Sequence, residues 1–160
     1  MSSTLTHKVE ERLGAAGLVL PRPSKPIAIY VPAVVTGSLL FVSGHGPLTA
    51  DRKLIKGCVG QDIDVVGATE AAKVTALNML ATVKATLGTL DRVKRLVKTF
   101  ALVRGTPEFG EQPRVVNGFS EVMRTAFGEE FGVGARSAMG TSNLPEGICV
   151  EVEAVFEITP

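Results

Sequence analysis

An arginine, Arg136, and a run of carboxylates, Glu151, Glu153 and Glu157, fall within the closing stretch Gly134 to Pro160. A guanidinium fork can grip a small acid through paired charge-assisted hydrogen bonds, and a carboxylate beside it can move protons. The same residue types also make ordinary surface ion pairs, which are common and weak. Residue types alone therefore leave both uses open. The stretch reads as two strands joined at Asn143-Leu144-Pro145-Glu146-Gly147, where Pro fixes one backbone angle and Gly permits an unusual one. Ile148, Val150, Val152, Ala154, Phe156 and Ile158 alternate onto one face, with Cys149, Glu151, Glu153, Val155 and Glu157 on the other. A hairpin here lays the neighbourhood of Arg136 alongside a face bearing carboxylates and a thiol.

Earlier in the chain, Ser43-Gly44-His45-Gly46-Pro47 follows the apolar run Leu39 to Val42. Such a glycine-rich exit lets backbone N–H groups come close to a ligand. It is no phosphate loop, because the Gly-Lys-Ser/Thr ending and the following helix are missing. Ser43 has no histidine and acid partner at a recognisable spacing, so it is a hydrogen-bond donor before it is a nucleophile. His45 can carry a proton near neutral pH or simply hold a structural hydrogen bond. Cys58, Cys149, His7 and His45 show no metal-ligand spacing, and the two thiols are expected to be free in a reducing compartment.

The 160 residues suit one domain, and 45% hydrophobic against 21% charged residues is a globular balance. A formal net charge of +1 with 5% aromatics gives little footprint for nucleic acid. The one basic cluster, Arg92, Lys94, Arg95 and Lys98, alternates with apolar residues and reads as the solvated entry to a strand. Lys8, Glu10, Glu11 and Arg12 stand where a signal peptide needs an apolar run, and no stretch reaches membrane-spanning length. A cytoplasmic location with no membrane partner is the expectation.

Several elements must position these groups. Thr4 to Ala16 has helical spacing in Leu5, Val9 and Leu13, with Ser2, Ser3 or Thr4 as cap and Gly17 as stop. Leu20 to Pro26 holds three prolines and reads as a stiff connector, so residues 1–26 are set apart from a main domain at 27–160. Ile27 to Thr36 and Leu39 to Ser43 read as strands around Gly37-Ser38. A long helix is expected from about Asp64 to Leu87, capped by Asp62 or Asp64 and closed by Gly88. Its stripe is Ala72, Ala76, Met79, Leu80, Val83 and Leu87. Val93 to Val103 is a strand. A second helix starts at Pro113 and ends at Gly128, with Asn117-Gly118 inside it although that pair elsewhere signals a hairpin. Two main helices cover only one face of such a sheet, yet the strands at 39–43 and 93–103 are apolar on both. At roughly 25 cal/mol per Å² of apolar surface, covering the second face with other subunits is strongly favoured, and an obligate oligomer is predicted.

This ordered set resembles the RidA/YjgF/UK114 family over roughly residues 28–158. The resemblance rests on Tyr30, Gly37, Ser43-Gly44, Asn117, Ala135-Arg136-Ser137, Leu144-Pro145 and Glu151-Val152-Glu153. It implies an α+β, chorismate-mutase-like mixed sheet with two main helices on one face, assembled as a homotrimer with clefts between subunits. It further implies hydrolysis of reactive 2-imino or enamine acids, such as 2-aminoacrylate tautomers, to 2-keto acids and ammonia without a cofactor or metal. By the same resemblance Arg136 binds the substrate carboxylate, Glu151 handles water, and Tyr30, Ser43 and Gly44 line the cleft. Asn117 is either a helix-to-loop hydrogen bond or part of the pocket. Two positions depart from the family's pattern: Ala138 stands where a cysteine is common, and His45 where glutamine is common. Cys149 is a candidate replacement thiol. A non-catalytic trimer that binds a small carboxylate is the alternative, and the label of ribonuclease given to some relatives finds no support in the charge pattern.

Overall fold

Alternate apolar positions on five strands and two helical stripes close around one core in the computed structural model, which describes residues 9–160. Helix α1 is Val9–Ala15; strands β1 and β2 are Ala33–Thr36 and Leu39–His45; α2 is Val65–Leu87; β3 is Val93–Arg104; α3 is Gln112–Gly132; β4 and β5 are Ala135–Thr141 and Val150–Ile158. The sheet runs β1-β2-β5-β3-β4, antiparallel except for β3 beside β4. This is the mixed α+β arrangement expected, with α2 and α3 on one face.

The long helix begins where its cap chemistry dictates. The Asp64 side chain accepts the Gly67 N–H at 2.7 Å, and Gly88 takes φ 83° to donate its own N–H to the Lys84 carbonyl. All six residues of the expected α2 stripe are buried, as are Val115, Val116, Phe119, Val122, Met123 and Phe127 of α3. Asn117-Gly118 is helical, because the apolar period around it outweighs its turn preference. A Cβ on Gly118 would lie 2.1 Å from the Thr69 carbonyl oxygen, so this glycine lets α3 touch the backbone of α2. Gly128 interrupts α3 with φ 86°, yet the helix resumes to Gly132, beyond the expected stop.

Three expectations are corrected. The C-terminal strands form no hairpin: β4 and β5 each pair with β3, which lies between them. After β4 the chain crosses over one strand, so the 143–147 segment is a crossover turn. Cys149 does not share the carboxylate face. Pairing of β5 begins at Val150, and Cys149 sits fully buried among core side chains. The first strand is only Ala33–Thr36, with residues 27–32 forming an irregular, largely exposed approach to it.

Val9 and Leu13 of α1 are buried in the same core as the sheet and main helices. The proposed caps Ser2, Ser3 and Thr4, and His7, lie outside the described residues. The basic cluster is engaged locally: Arg92 bonds the Thr159 carbonyl, Lys94 and Arg95 approach Glu157, and Lys98 donates to the Ser137 hydroxyl. The sheet face away from the helices stays open, with Val34, Phe41, Phe100 and Met139 exposed along it. Among the described residues no helix is long and apolar enough to cross a membrane.

Candidate functional site

Two groups of expected site residues are assembled, in two places. The first is at the β4 edge of the sheet. Arg136 pairs in register with Thr99, which pairs with Ala154, and both of those are buried under the helices. Arg136 therefore leaves the sheet on its helix side and meets α3. One guanidinium nitrogen, Nη1, donates to Asn117 Oδ1 at 2.9 Å and Ser120 Oγ at 3.1 Å, while Nη2 reaches the Pro113 carbonyl at 3.4 Å. Every partner is a neutral acceptor, and among the described residues no carboxylate stands within ion-pair distance of Arg136. Arg136 borders a cavity of about 390 Å³ that Asn117, Ser120, Glu121 and Arg124 also line.

The second group lies on the other face. Glu151 is on the odd register of β5, opposite Leu102, and points to the open side of the sheet. It lines a cavity of about 560 Å³ with Tyr30, Ser43, Gly44, Glu153, Pro145 and Ile148. Burial pushes its pKa above the usual glutamate range, and the negative charge of Glu153 pushes it further the same way. Gly44 leaves room for that side chain: a Cβ there would sit 2.2 Å from Glu151 Oε1. The Ser43 hydroxyl donates to the Val31 carbonyl at 2.7 Å, tying the segment that carries Tyr30 to β2.

Of the expected residues, Tyr30, Ser43, Gly44 and Glu151 thus meet in one cavity, and Arg136 and Asn117 in another. With β3 between their strands and opposite faces beneath them, Arg136 and Glu151 do not come together within one chain. His45 and Ala138 join neither group. The ring of His45 turns toward α2, its Nδ1 at 2.7 Å from the Ser43 carbonyl oxygen and its Nε2 at 2.7 Å from Thr82 Oγ1. A carbonyl only accepts, so Nδ1 carries the proton and Nε2 receives the Thr82 hydroxyl. Burial holds this histidine below its ordinary pKa, outweighing the Ser43 contact. It is a structural tie between β2 and α2. Ala138, on the same side of β4 as Arg136, packs against the core. Cys149 offers no substitute thiol, since burial pushes its pKa up to about 11.

Sequence reading missed Ser120 and the part played by Glu153. Ser120 stands one turn after Asn117, beside the apolar stripe, and an i, i+3 polar pair on a buried edge is the signal that finds it. Glu153 shares its strand face with Glu151 two residues away, near enough to raise the pKa of its neighbour.

A mixed sheet covered on one side by two helices, with Arg136 in a cavity at one edge and Glu151, its pKa raised, in another on the open face, defines a small α+β protein with two separate pockets. Residues 10–151 match the family model described as "YjgF/chorismate mutase-like, putative endoribonuclease", and the chain belongs to that family. It is 39% identical to Protein TCP17 of Trypanosoma cruzi over 158 residues, covering 99% of each. The structure is similar to that of Atu1372 from Agrobacterium tumefaciens, a protein of unknown function, at TM-score 0.86 and 42% identity over 94% of each chain. It is also similar to the YjgF gene product of E. coli, at TM-score 0.60 and 25% identity, covering 85% of this chain and 92% of that one.

Proposed function

We propose that this protein hydrolyses reactive 2-imino and enamine acids to 2-keto acids and ammonia, in a site that forms between neighbouring copies of a homotrimer. The observation that carries the reading is that Arg136 and Glu151 line two separate cavities on opposite faces of one sheet. An arginine with no ion-pair partner among the described residues sits at one edge, and a glutamate with a raised pKa sits on the opposite, open face. The exposed strip Val34, Phe41, Phe100 and Met139 supplies an apolar surface for association.

In the reaction, Arg136 of one copy holds the substrate carboxylate with its free N–H donors, fixing C2 near Glu151 of the next. An enamine takes a proton at C3 to become the imine. Water adds to C2 as Glu151 takes one of its protons and passes it to the imine nitrogen; the carbinolamine then forms its C=O bond and breaks its C–N bond as the hydroxyl proton moves through Glu151 to the leaving nitrogen. The balance is one imine and one water in, one ketone and one ammonia out. A carboxylate that keeps its proton to higher pH than usual suits this exchange. The test generates 2-iminopropanoate from alanine with an amino-acid oxidase and follows ammonia release. Arg136→Ala is expected to lose at least about tenfold in rate, a charge-assisted contact being worth about 1.5–3 kcal/mol. Unchanged turnover in that variant removes the assigned role.

One observation favours a second reading, a trimer that binds a small carboxylate without transforming it. Ala138 brings no reactive atom to the Arg136 side, and the buried Cys149 does not replace one. Saturable binding of pyruvate with no acceleration of any imine tested selects this alternative.

A further inference from the structure

A third cavity, of about 610 Å³, opens where the parallel strands β3 and β4 end and α3 begins. Arg104, the last residue of β3, lines it with Thr106, Pro107, Phe109, Gln112 and Ser142. Arg104 is only partly spent: Nη1 donates to the Gly147 carbonyl at 3.1 Å, whereas Nε is buried and has no hydrogen-bond partner. That Nε is closed off from the cavity, so the guanidinium's remaining N–H groups are the ones that can meet a ligand. Among the described residues no carboxylate reaches ion-pair distance of Arg104. The nearby Asp62 takes the Cys58 N–H at 2.9 Å and the Gln61 amide at 3.2 Å, and the charge of Arg104 helps to lower its pKa from beyond ion-pair distance. The hydroxyls of Thr106 and Ser142 make no side-chain hydrogen bond, and Gln112 uses only its amino end, on the Phe109 carbonyl. Phe109 and Pro107 provide an apolar wall on the same rim.

We propose that this cavity is a second ligand site, which binds a small organic carboxylate with its acid group on Arg104 and the Thr106 and Ser142 hydroxyls and its apolar part against Phe109 and Pro107. Its volume lies in the range of small-molecule pockets. It shares no lining residue with the Arg136 cavity or with the Glu151 cavity, from which the Pro145–Gly147 turn divides it. Occupancy here is therefore independent of the proposed deaminase reaction, and stands or falls separately.

The test is a titration of ¹⁵N-labelled protein with benzoate at constant ionic strength, followed by amide shifts. Saturable shifts are expected at Gly105, Thr106, Gly140 and Thr141. Arg104→Met is expected to raise the dissociation constant about tenfold or more, the loss of one charge-assisted contact, while Arg136→Met leaves it within about twofold. Benzyl alcohol, which matches benzoate in shape without the charge, is expected to give no saturable shift at those amides. The double variant Thr106→Val, Ser142→Ala keeps the Arg104–Gly147 bond. It carries the test if Arg104→Met loses its native spectrum, and weakened benzoate binding is expected in it. The proposal is overturned if no shifts saturate at these amides or if they centre on Asn117 and Arg136. It is equally overturned if benzyl alcohol matches benzoate, or if binding survives unchanged in the folded variants.

Discussion

Replacing Gly44 by Ala asks whether the position of the Glu151 carboxylate matters. The backbone of Gly44 lies outside the left-handed region, so the added methyl meets a steric obstacle and no conformational one. It would stand 2.2 Å from Glu151 Oε1, 3.1 Å from its carboxyl carbon and 3.3 Å from Cγ. Restoring ordinary contact near 3.4 Å moves that oxygen by about 1 Å. The obstacle is the free end of a flexible side chain on an open face, so the cost in stability is small. A change within about 0.5 kcal/mol, or roughly 2 °C in Tm for a domain of this size, is expected. Catalysis is far less tolerant: a misplacement of about 1 Å costs on the order of 10²-fold, equivalent to about 2.7 kcal/mol in the barrier. The loss should appear in kcat for 2-iminopropanoate hydrolysis, with pyruvate affinity, set by Arg136, changing less than about threefold. Turnover within threefold of the parent, in a variant of unchanged melting temperature, would refute the claim that Glu151 acts from this pocket.

Two further outcomes follow from groups with shifted pKa values. Truncating His45 to Ala removes both ends of the β2–α2 tie and strands the Thr82 hydroxyl, which is only 2% exposed. A loss of about 2–3 kcal/mol by urea denaturation at pH 8 is expected. Because the folded state holds the pKa of His45 below its ordinary value of 6.5, its contribution is complete above that pH and declines as pH falls through the folded pKa. The gap between parent and variant should therefore narrow in acid, and a gap that widens contradicts the tie. Changing Glu153 to Gln removes the negative neighbour that helps raise the pKa of Glu151. The limb of the pH–rate profile that reports Glu151 should move to lower pH in that variant, and an unmoved limb rules out their coupling.

Wherever period and punctuation agreed, the elements were legible in the sequence. The α2 stripe with Asp64 and Gly88 at its ends gave that helix almost to the residue, and strict alternation from Val150 to Ile158 gave the core face of β5. Strand order was not legible. A turn-rich segment such as 143–147 serves a hairpin and a one-strand crossover equally well, because local backbone angles carry no information about which neighbour a strand will pair. That is why Arg136 was expected beside the carboxylates. Cys149 was misplaced because alternation was extended one residue past the start of pairing. His45 could be listed as a candidate, but only the approach of Thr82 from a helix 37 positions later decides its role. The pocket around Glu151 was foreseen only through family resemblance, since Tyr30 and Ser43 reach it from remote segments.

If the proposed reaction holds, a guanidinium and a glutamate that leave the same sheet from opposite sides make concentration a variable of the chemistry. Under the proposed reaction a solitary chain is inert, and each working centre is the common property of two molecules. Specific activity then falls on dilution below the dissociation constant of the assembly.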